Sequence, residues 1–292
     1  MGLNGGLELT ARQRRLAAVA ALLGNALEWF DFAVYGYVAT PLGHAFFPAE
    51  DPGLQALAAF GVFAVGYLMR PVGSLVLGPI GDLLGNRNML SLSIVLMGAA
   101  SLLIALLPTH AQWGAGAGLA LLGLRMVQGF SVGGEFTGSM TYATEAARPG
   151  QQGLLASLAT AGGLVGFSLG SLTVALLARA LGDAAMDAWG WRLPFLASII
   201  LIGVSLFVQL RLEDTEAFKA LKATQDSQSH TEVVVRSPVL QALNKYPRTI
   251  MLAAGAFLSV QVTFYILIAF TVAYGLNSPT VNLSRESMLV AV

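Results

Sequence analysis

Apolar runs of about twenty residues alternate with short polar joints along most of the chain. Seven runs fall at roughly 16–40, 54–77, 89–107, 114–140, 153–178, 194–211 and 249–274, and an eighth begins at Met288. Each is about the length a helix needs to cross the hydrocarbon core of a bilayer. The joints at Pro48 to Pro52, Gly78 to Asn88, Pro108 to Trp113, Glu145 to Gln152 and Gly182 to Arg192 gather Pro, Gly and charge. A longer one, Glu213 to Pro247, is polar throughout and carries DSQSH at Asp226 to His230. The pattern predicts an all-α membrane protein: six spans, a linker, then further helices.

Composition agrees. The chain of 292 residues is 55% hydrophobic and 11% charged, where soluble domains carry about 25% charge. Sixteen basic residues balance sixteen acidic ones, so overall charge does not favour nucleic acid. With no cysteine, and with His44, His110 and His230 far apart, neither thiolate chemistry nor a metal site is expected, and no cofactor motif is present. Arg12 to Arg15 followed by Leu16 to Leu23 would also suit a signal peptide, but the apolar run continues through Tyr37 and further spans follow.

Spans alternate in direction, which allows basic residues to be counted on each side. An internal N-terminus puts Arg12, Arg14, Arg15, Arg87, Arg148, Arg211, Lys219, Lys222, Arg236, Lys245 and Arg248 in the cytoplasm and leaves Arg179, Arg192 and Arg285 outside. The positive-inside bias therefore predicts a cytoplasmic N-terminus in the inner, or plasma, membrane.

Against this background the first span is unusual. In GNALEWFDFAVYGYVAT, Glu28 and Asp31 lie three residues apart on one helical face, with Gly24, Asn25 and Tyr35 on the same stripe. An ionised carboxylate at mid-bilayer costs about 2.5–3.5 kcal/mol on insertion scales, which marks such residues as functional candidates. Both acids could equally pair with bases simply to hold helices together. The fourth span offers Arg125 at a depth similar to that of Glu28, with Gln128 one turn on and Glu135 deeper still. Desolvation favours a neutral carboxyl and a nearby cation favours the anion, so an acid held between the two can load and release a proton. In the second span, Arg70 precedes Pro71, which weakens the helix locally. Arg70 could latch onto Glu135 or snorkel to the interface.

Glycines at four-residue spacing, Gly129 with Gly133 and Gly134 with Gly138 in the fourth span and Gly162, Gly166 and Gly170 in the fifth, allow helix backbones to touch. The loop GPIGDLLGNRNML, Gly78 to Leu90, resembles the signature between helices two and three of the major facilitator superfamily, with Gly78, Gly81, Asp82, Gly85, Arg87 and Leu90 in matching places. Leu83 and Asn86 stand where that signature usually has basic residues, which implies a thinner charge latch. RMVQG, Arg125 to Gly129, looks like the superfamily's fourth-helix motif, whose arginine is implicated in proton coupling, and the fifth span lacks the Gly-Pro pair of drug antiporters. FFPAEDP, MRPVGSLVLGPIGD, QGFSVGGEFTG, WGWRLPF and LEDTEAF extend the likeness to the metabolite and proton symporters, and most to their proline and glycine betaine branch.

The resemblance implies a bundle of twelve helices in two halves, of which this chain holds an N-terminal six-helix half and the start of the second. The expected layout is a cytoplasmic N-terminus at 1–15, a transmembrane half at 16–211, a cytoplasmic linker at 212–247 and an incomplete second half at 248–292. The abrupt end inside a new apolar run suggests a fragment. Function follows as proton-coupled symport of a small zwitterionic osmolyte, or of an organic acid such as citrate, oxoglutarate or shikimate, with bilayer, proton and small molecule as partners and no enzymatic activity. The coupling candidates are Asp31, Glu28 and Arg125; the substrate candidates are Asn25, Tyr35, Gln128, Gln261 and Tyr265; the gate candidates are Asp82, Arg87, Arg70 and Glu135. A membrane receptor or scaffold built on part of a transporter fold is the alternative from another class. The topology makes a direct prediction: single cysteines introduced at Gln225 and Ser278 label from opposite faces of the membrane, and labelling from the same face would refute the span count.

Overall fold

The computed structural model describes residues 10–47, 52–212 and 243–265. The side chains at Pro52, Ala56, Asp82, Asn86, Val260, Gln261, Phe264 and Tyr265 fall outside that description, as do the linker from 213 to 242 and the apolar run at Met288. Two compact units divide at Glu232. The first contains α1 (Ala11–Tyr37), α2 (Ala39–Phe46), α3 (Pro52–Leu84), α4 (Asn86–Leu106), α5 (His110–Trp113), α6 (Ala115–Val132), α7 (Glu135–Ala146), α8 (Gln152–Leu181), α9 (Asp183–Ala185), a π-helical turn at Met186–Gly190 and α10 (Arg192–Gln209). The second contributes α11 (Pro247–Tyr265), the described part of the seventh apolar run.

Among the described residues, six helical stretches are long and apolar enough to cross a membrane: Ala11–Tyr37, Gly53–Gly81, Arg87–Leu106, Ala115–Ala146, Gln152–Leu181 and Arg192–Gln209. Local chemistry shifts several boundaries from the apolar runs. Thr10 and Gln13 cap each other reciprocally, so α1 starts at Ala11 and takes Arg12, Arg14 and Arg15 into its first turns. Pro71 and Pro79 both lie inside an unbroken α3. Near Pro71, Ser74 donates its hydroxyl to the carbonyls of Arg70 and Gly133, holding the segment against the fourth span. The fourth span is two helices rather than one, parted at Gly133–Gly134.

The bundle is organised by helix pairs: α1 with α8, α3 with α6, and α4 with α10. The first two depend on absent side chains. Gly162, Gly166 and Gly170 of α8 lie directly against the backbone at Leu22, Ala26 and Phe30 of α1. On the other seam Gly129 of α6 abuts the Gly66 carbonyl, Gly133 abuts Arg70, and Gly73 of α3 abuts Phe130. Backbones this close gain van der Waals contact along the full seam, the main source of attraction where lipid is as apolar as the helices. The α3–α4 reversal needs Gly85, whose φ of 91° is one that side chains disfavour.

Outward-facing positions are apolar, as at Leu57, Leu68, Leu75, Leu106, Leu119, Leu164, Leu176 and Ile200, whereas the buried set includes Asn25, Glu28, Asp31, Arg125, Gln128 and Glu135. Apolar clusters close the bundle at both ends. One gathers Val34, Leu42, Phe46, Leu121, Trp191 and Phe195; the other gathers Ala17, Leu77, Met89, Leu90 and Tyr142. The polar groups lie between them.

The seams predict which glycines matter. Gly166→Ala and Gly129→Ala would drive a methyl into backbone and should lower the melting temperature in detergent, with Gly→Val worse at each site. Gly123→Ala meets nothing within 4 Å in α6 and should be neutral or stabilising by up to about 1 kcal/mol.

Candidate functional site

Three carboxylates and two guanidiniums converge in the interior, and α1 supplies their common face. Asn25, Glu28, Asp31, Phe32 and Tyr35 recur every three or four residues along it. Opposite stand Phe63, Tyr67 and Arg70 of α3, Ser101 of α4, Arg125 and Gln128 of α6, and Glu135 at the first position of α7.

Asp31 is fully buried and held by neutral donors. Its Oδ2 accepts from the Ser101 hydroxyl and from Gln128 Nε2, the latter at 2.6 Å. Gln128 Oε1 in turn accepts from Arg125 Nη1 at 2.7 Å. Arg125 therefore reaches Asp31 through an amide that is a donor at one end and an acceptor at the other. Its guanidinium also stacks over the Tyr35 ring, 4.0 Å from the centroid, and approaches Phe32 at 5.1 Å and Phe63 at 5.3 Å. Tyr35 is fixed for this role by donating its hydroxyl to the Ala59 carbonyl at 3.0 Å and by stacking on Phe63. Arg125 Nε and Nη2 and Asp31 Oδ1 are buried without hydrogen-bond partners among the described residues.

Glu28 belongs to a second group. Its Oε1 meets Arg70 Nη2 at 3.0 Å, with the Glu28 side chain 2% exposed and that of Arg70 26% exposed. The Arg70 guanidinium rests on Phe32 at 4.3 Å and on Tyr67 at 4.5 Å. Arg70 thus turns inward to Glu28, where sequence reasoning offered Glu135 or the interface. Glu135 is buried with neither carboxylate oxygen hydrogen-bonded among the described residues. The reason lies in azimuth: both acids fall at depths Arg70 can reach, but Glu28 projects from the α1 face that looks at α3.

The other candidates are dispersed. Asn25 donates to the Ala159 carbonyl across the α1–α8 seam, so its amide is engaged in helix packing. Arg87 Nη2 donates to the Leu210 carbonyl at 2.8 Å, tying the α3–α4 reversal to the end of α10. Asp82 lies in α3, and Gln261 and Tyr265 in α11, with side chains outside the description. Ser101, Phe63 and Tyr67 were not picked out from sequence. A serine in a span is unremarkable alone, and only the recurrence of Ser93 and Ser101 in α4, both buried, could have pointed to a polar face.

The profile described as "Sugar (and other) transporter" matches residues 16–251. The glycine betaine/proline/ectoine/pipecolic acid transporter of Dickeya dadantii is 36% identical over 262 residues, 89% of this chain and 52% of the relative. The proline/betaine transporter of Escherichia coli K12 is 37% identical over the same shares. The shikimate transporter of that strain is 34% identical over 284 residues, 96% of this chain and 63% of the relative. The chain thus spans little more than half the length of these curated relatives. In fold it is similar to a major facilitator proton:xylose symporter, with a TM-score of 0.70 at 18% identity over 97% of this chain and 66% of that one. A partially occluded, inward-open xylose transporter of E. coli gives a TM-score of 0.65 at 20% identity over 90% and 61%.

The two networks predict different couplings. Removing one member of a buried ion pair strands a charge, at the cost of about 3–5 kcal/mol when both partners are fully buried. Glu28→Gln or Arg70→Gln alone should lower thermal stability toward the lower end of that range, because Arg70 is partly exposed, and the double change should recover much of the loss. The cycle between Arg125→Gln and Asp31→Asn should show the smaller coupling, since Gln128 stands between them. Melting curves of the purified variants test both.

Proposed function

We propose, from the premise that this chain belongs to the sugar (and other) transporter family of the major facilitator superfamily, that it contributes the first six-helix half of a proton-coupled symporter for a small zwitterionic osmolyte. It is a multi-pass membrane protein. In the proposed arrangement the membrane is the cytoplasmic one and the N-terminus at 1–15 faces the cytoplasm. Residues 16–211 form the half bundle, 212–247 form a cytoplasmic linker, and 248–292 open the second half.

The observation that carries this reading is the buried, solely hydrogen-bonded carboxylate of Asp31, linked through Gln128 to a buried guanidinium. As an anion Asp31 accepts from Ser101 and Gln128. Its free Oδ1 can take the proton, and the neutral acid then accepts more weakly at Oδ2 than the anion did. Gln128 is then held less firmly, which loosens its hold on Arg125. Arg125 already has two nitrogens, Nε and Nη2, without acceptors, so the freed guanidinium can receive a substrate carboxylate. Proton binding and substrate binding thus favour each other. The half-buried rings of Phe63 and Tyr67 offer a surface to the cationic end of a zwitterion. Glu28 supports coupling through Arg70. Asn25, Gln261 and Tyr265 complete the substrate candidates, while Asp82, Arg87, Arg70 and Glu135 act on the gate.

A second substrate class is supported by one observation. The same two unpartnered nitrogens of Arg125 would suit an organic acid with no cationic end, and the shikimate relative matches across 96% of this chain. Competition of labelled proline or betaine uptake by shikimate-like acids separates the two classes.

Proteoliposomes carrying this chain in the longest form its gene encodes, with an imposed proton gradient, test the coupling. Asp31→Asn should abolish uphill accumulation and retain substrate exchange, because an amide can keep a hydrogen bond but cannot carry a proton. Undiminished accumulation in that variant would remove Asp31 from the cycle.

A further inference from the structure

Inside the bundle the charges do not balance. Arg125 is engaged with Gln128 and the Tyr35 ring, on the branch that leads to Asp31. Arg70 is engaged with Glu28 and with two aromatic faces. This leaves Glu135, 1% exposed, with no cation of its own and with both oxygens lacking a hydrogen bond among the described residues. The charged groups that act on it are Glu28 of α1 and Arg70 of α3. Among the described residues, the helices packed on α7 add no further inward-facing charge at its level: Arg87 of α4 is tied to Leu210, and Arg179 lies in the last turn of α8 at the far end of the bundle.

The site is also shaped for a carboxyl. The break at Gly133–Gly134 turns the fourth span so that Glu135 opens α7. Gly24 of α1 leaves the space that its oxygen fills, since a Cβ at residue 24 would lie 2.9 Å from Glu135 Oε1. The start of α7 favours a negative charge there, but a helix end is a weak partner compared with the loss of water and of all direct donors. An anion beside the anion of Glu28, with one guanidinium between the two, is worse still. A proton removes the conflict.

We infer that Glu135 is a second proton-binding site, distinct from Asp31, which holds a proton while Arg70 is paired with Glu28 and can exchange roles with Glu28. In that exchange Arg70 swings to Glu135, the O–H bond of Glu135 breaks, and a proton joins Glu28 as its ion pair is lost. The triad keeps one proton and zero net charge throughout. The inference rests on the buried bundle, and it does not require the chain to transport anything.

Infrared difference spectroscopy of the purified chain in lipid at neutral pH provides the test. Wild type minus Glu135→Gln should contain the carbonyl stretch of a protonated carboxyl, shifted to lower frequency in heavy water. Wild type minus Asp31→Asn should leave that same band in place in the variant. Glu135→Gln and the apolar Glu135→Met should both melt within a few degrees of wild type, because each replaces a neutral group. The absence of the band from the Glu135→Gln difference would overturn the proposal, as would its loss in Asp31→Asn. Failure of both Glu135 variants to fold under conditions where Glu28→Gln folds would mean that Glu135 holds a structural charge, and would overturn it equally. Because none of these readouts uses uptake, failure of the transport reading leaves this result intact, and the reverse also holds.

Discussion

Hydrocarbon offers no partner to a charge, and this one constraint arranges the interior. Glu28, Asp31, Arg70, Arg125 and Glu135 all lie in spans, and each must find its compensation within a few ångströms inside the bundle. Where a direct ion pair forms, as between Glu28 and Arg70, it is braced by the rings of Phe32 and Tyr67. Where it does not, an amide and a hydroxyl relay the interaction, as Gln128 and Ser101 do for Asp31. Phe32 adjoins both guanidiniums, so the two groups share one aromatic wall and a shift in either is felt by the other.

The glycine seams make such proximity possible. A bulky residue at Gly162 or Gly166 would hold α8 away from α1, and a bulky residue at Gly129 or Gly133 would hold α6 away from α3. With helices at ordinary spacing, short side chains at the seams such as Asn25 and Ser74 would not reach the Ala159 and Gly133 carbonyls opposite them. Packing and electrostatics are therefore not separate features here, because the absence of Cβ atoms on one face sets the hydrogen-bond distances on another.

The spans, their order and the presence of unusual charges were legible in the sequence, because hydropathy and residue depth follow directly from chain position. Partner choice was not. Depth along a helix sets Glu28 level with Arg125 and Arg70 level with Glu135, whereas Arg70 meets Glu28; rotation about each axis decides who meets whom, and rotation is set by the seams. Gly133 and Gly134 were visible as small residues, while the break between α6 and α7 that falls at them, with Gly133 against the backbone of Arg70 and Ser74, was not. The capping box at Thr10 and Gln13 was legible in principle, since its spacing is local, and it explains why α1 reaches beyond the apolar run.

The polar stripe of α1 has a consequence for how the chain assembles. Its partners arrive late in chain order: Ser101 lies 70 residues beyond Asp31, Gln128 lies 97 beyond it, and the Ala159 carbonyl that receives Asn25 lies 134 beyond that residue. During synthesis α1 therefore enters the membrane with its acids and its amide unanswered and must wait for α3, which brings Arg70 to Glu28, and then for α4, α6 and α8 in turn. Until α8 has docked, the helix with the strongest need for company is the one least provided for, a natural point of capture for insertion factors and quality-control proteases.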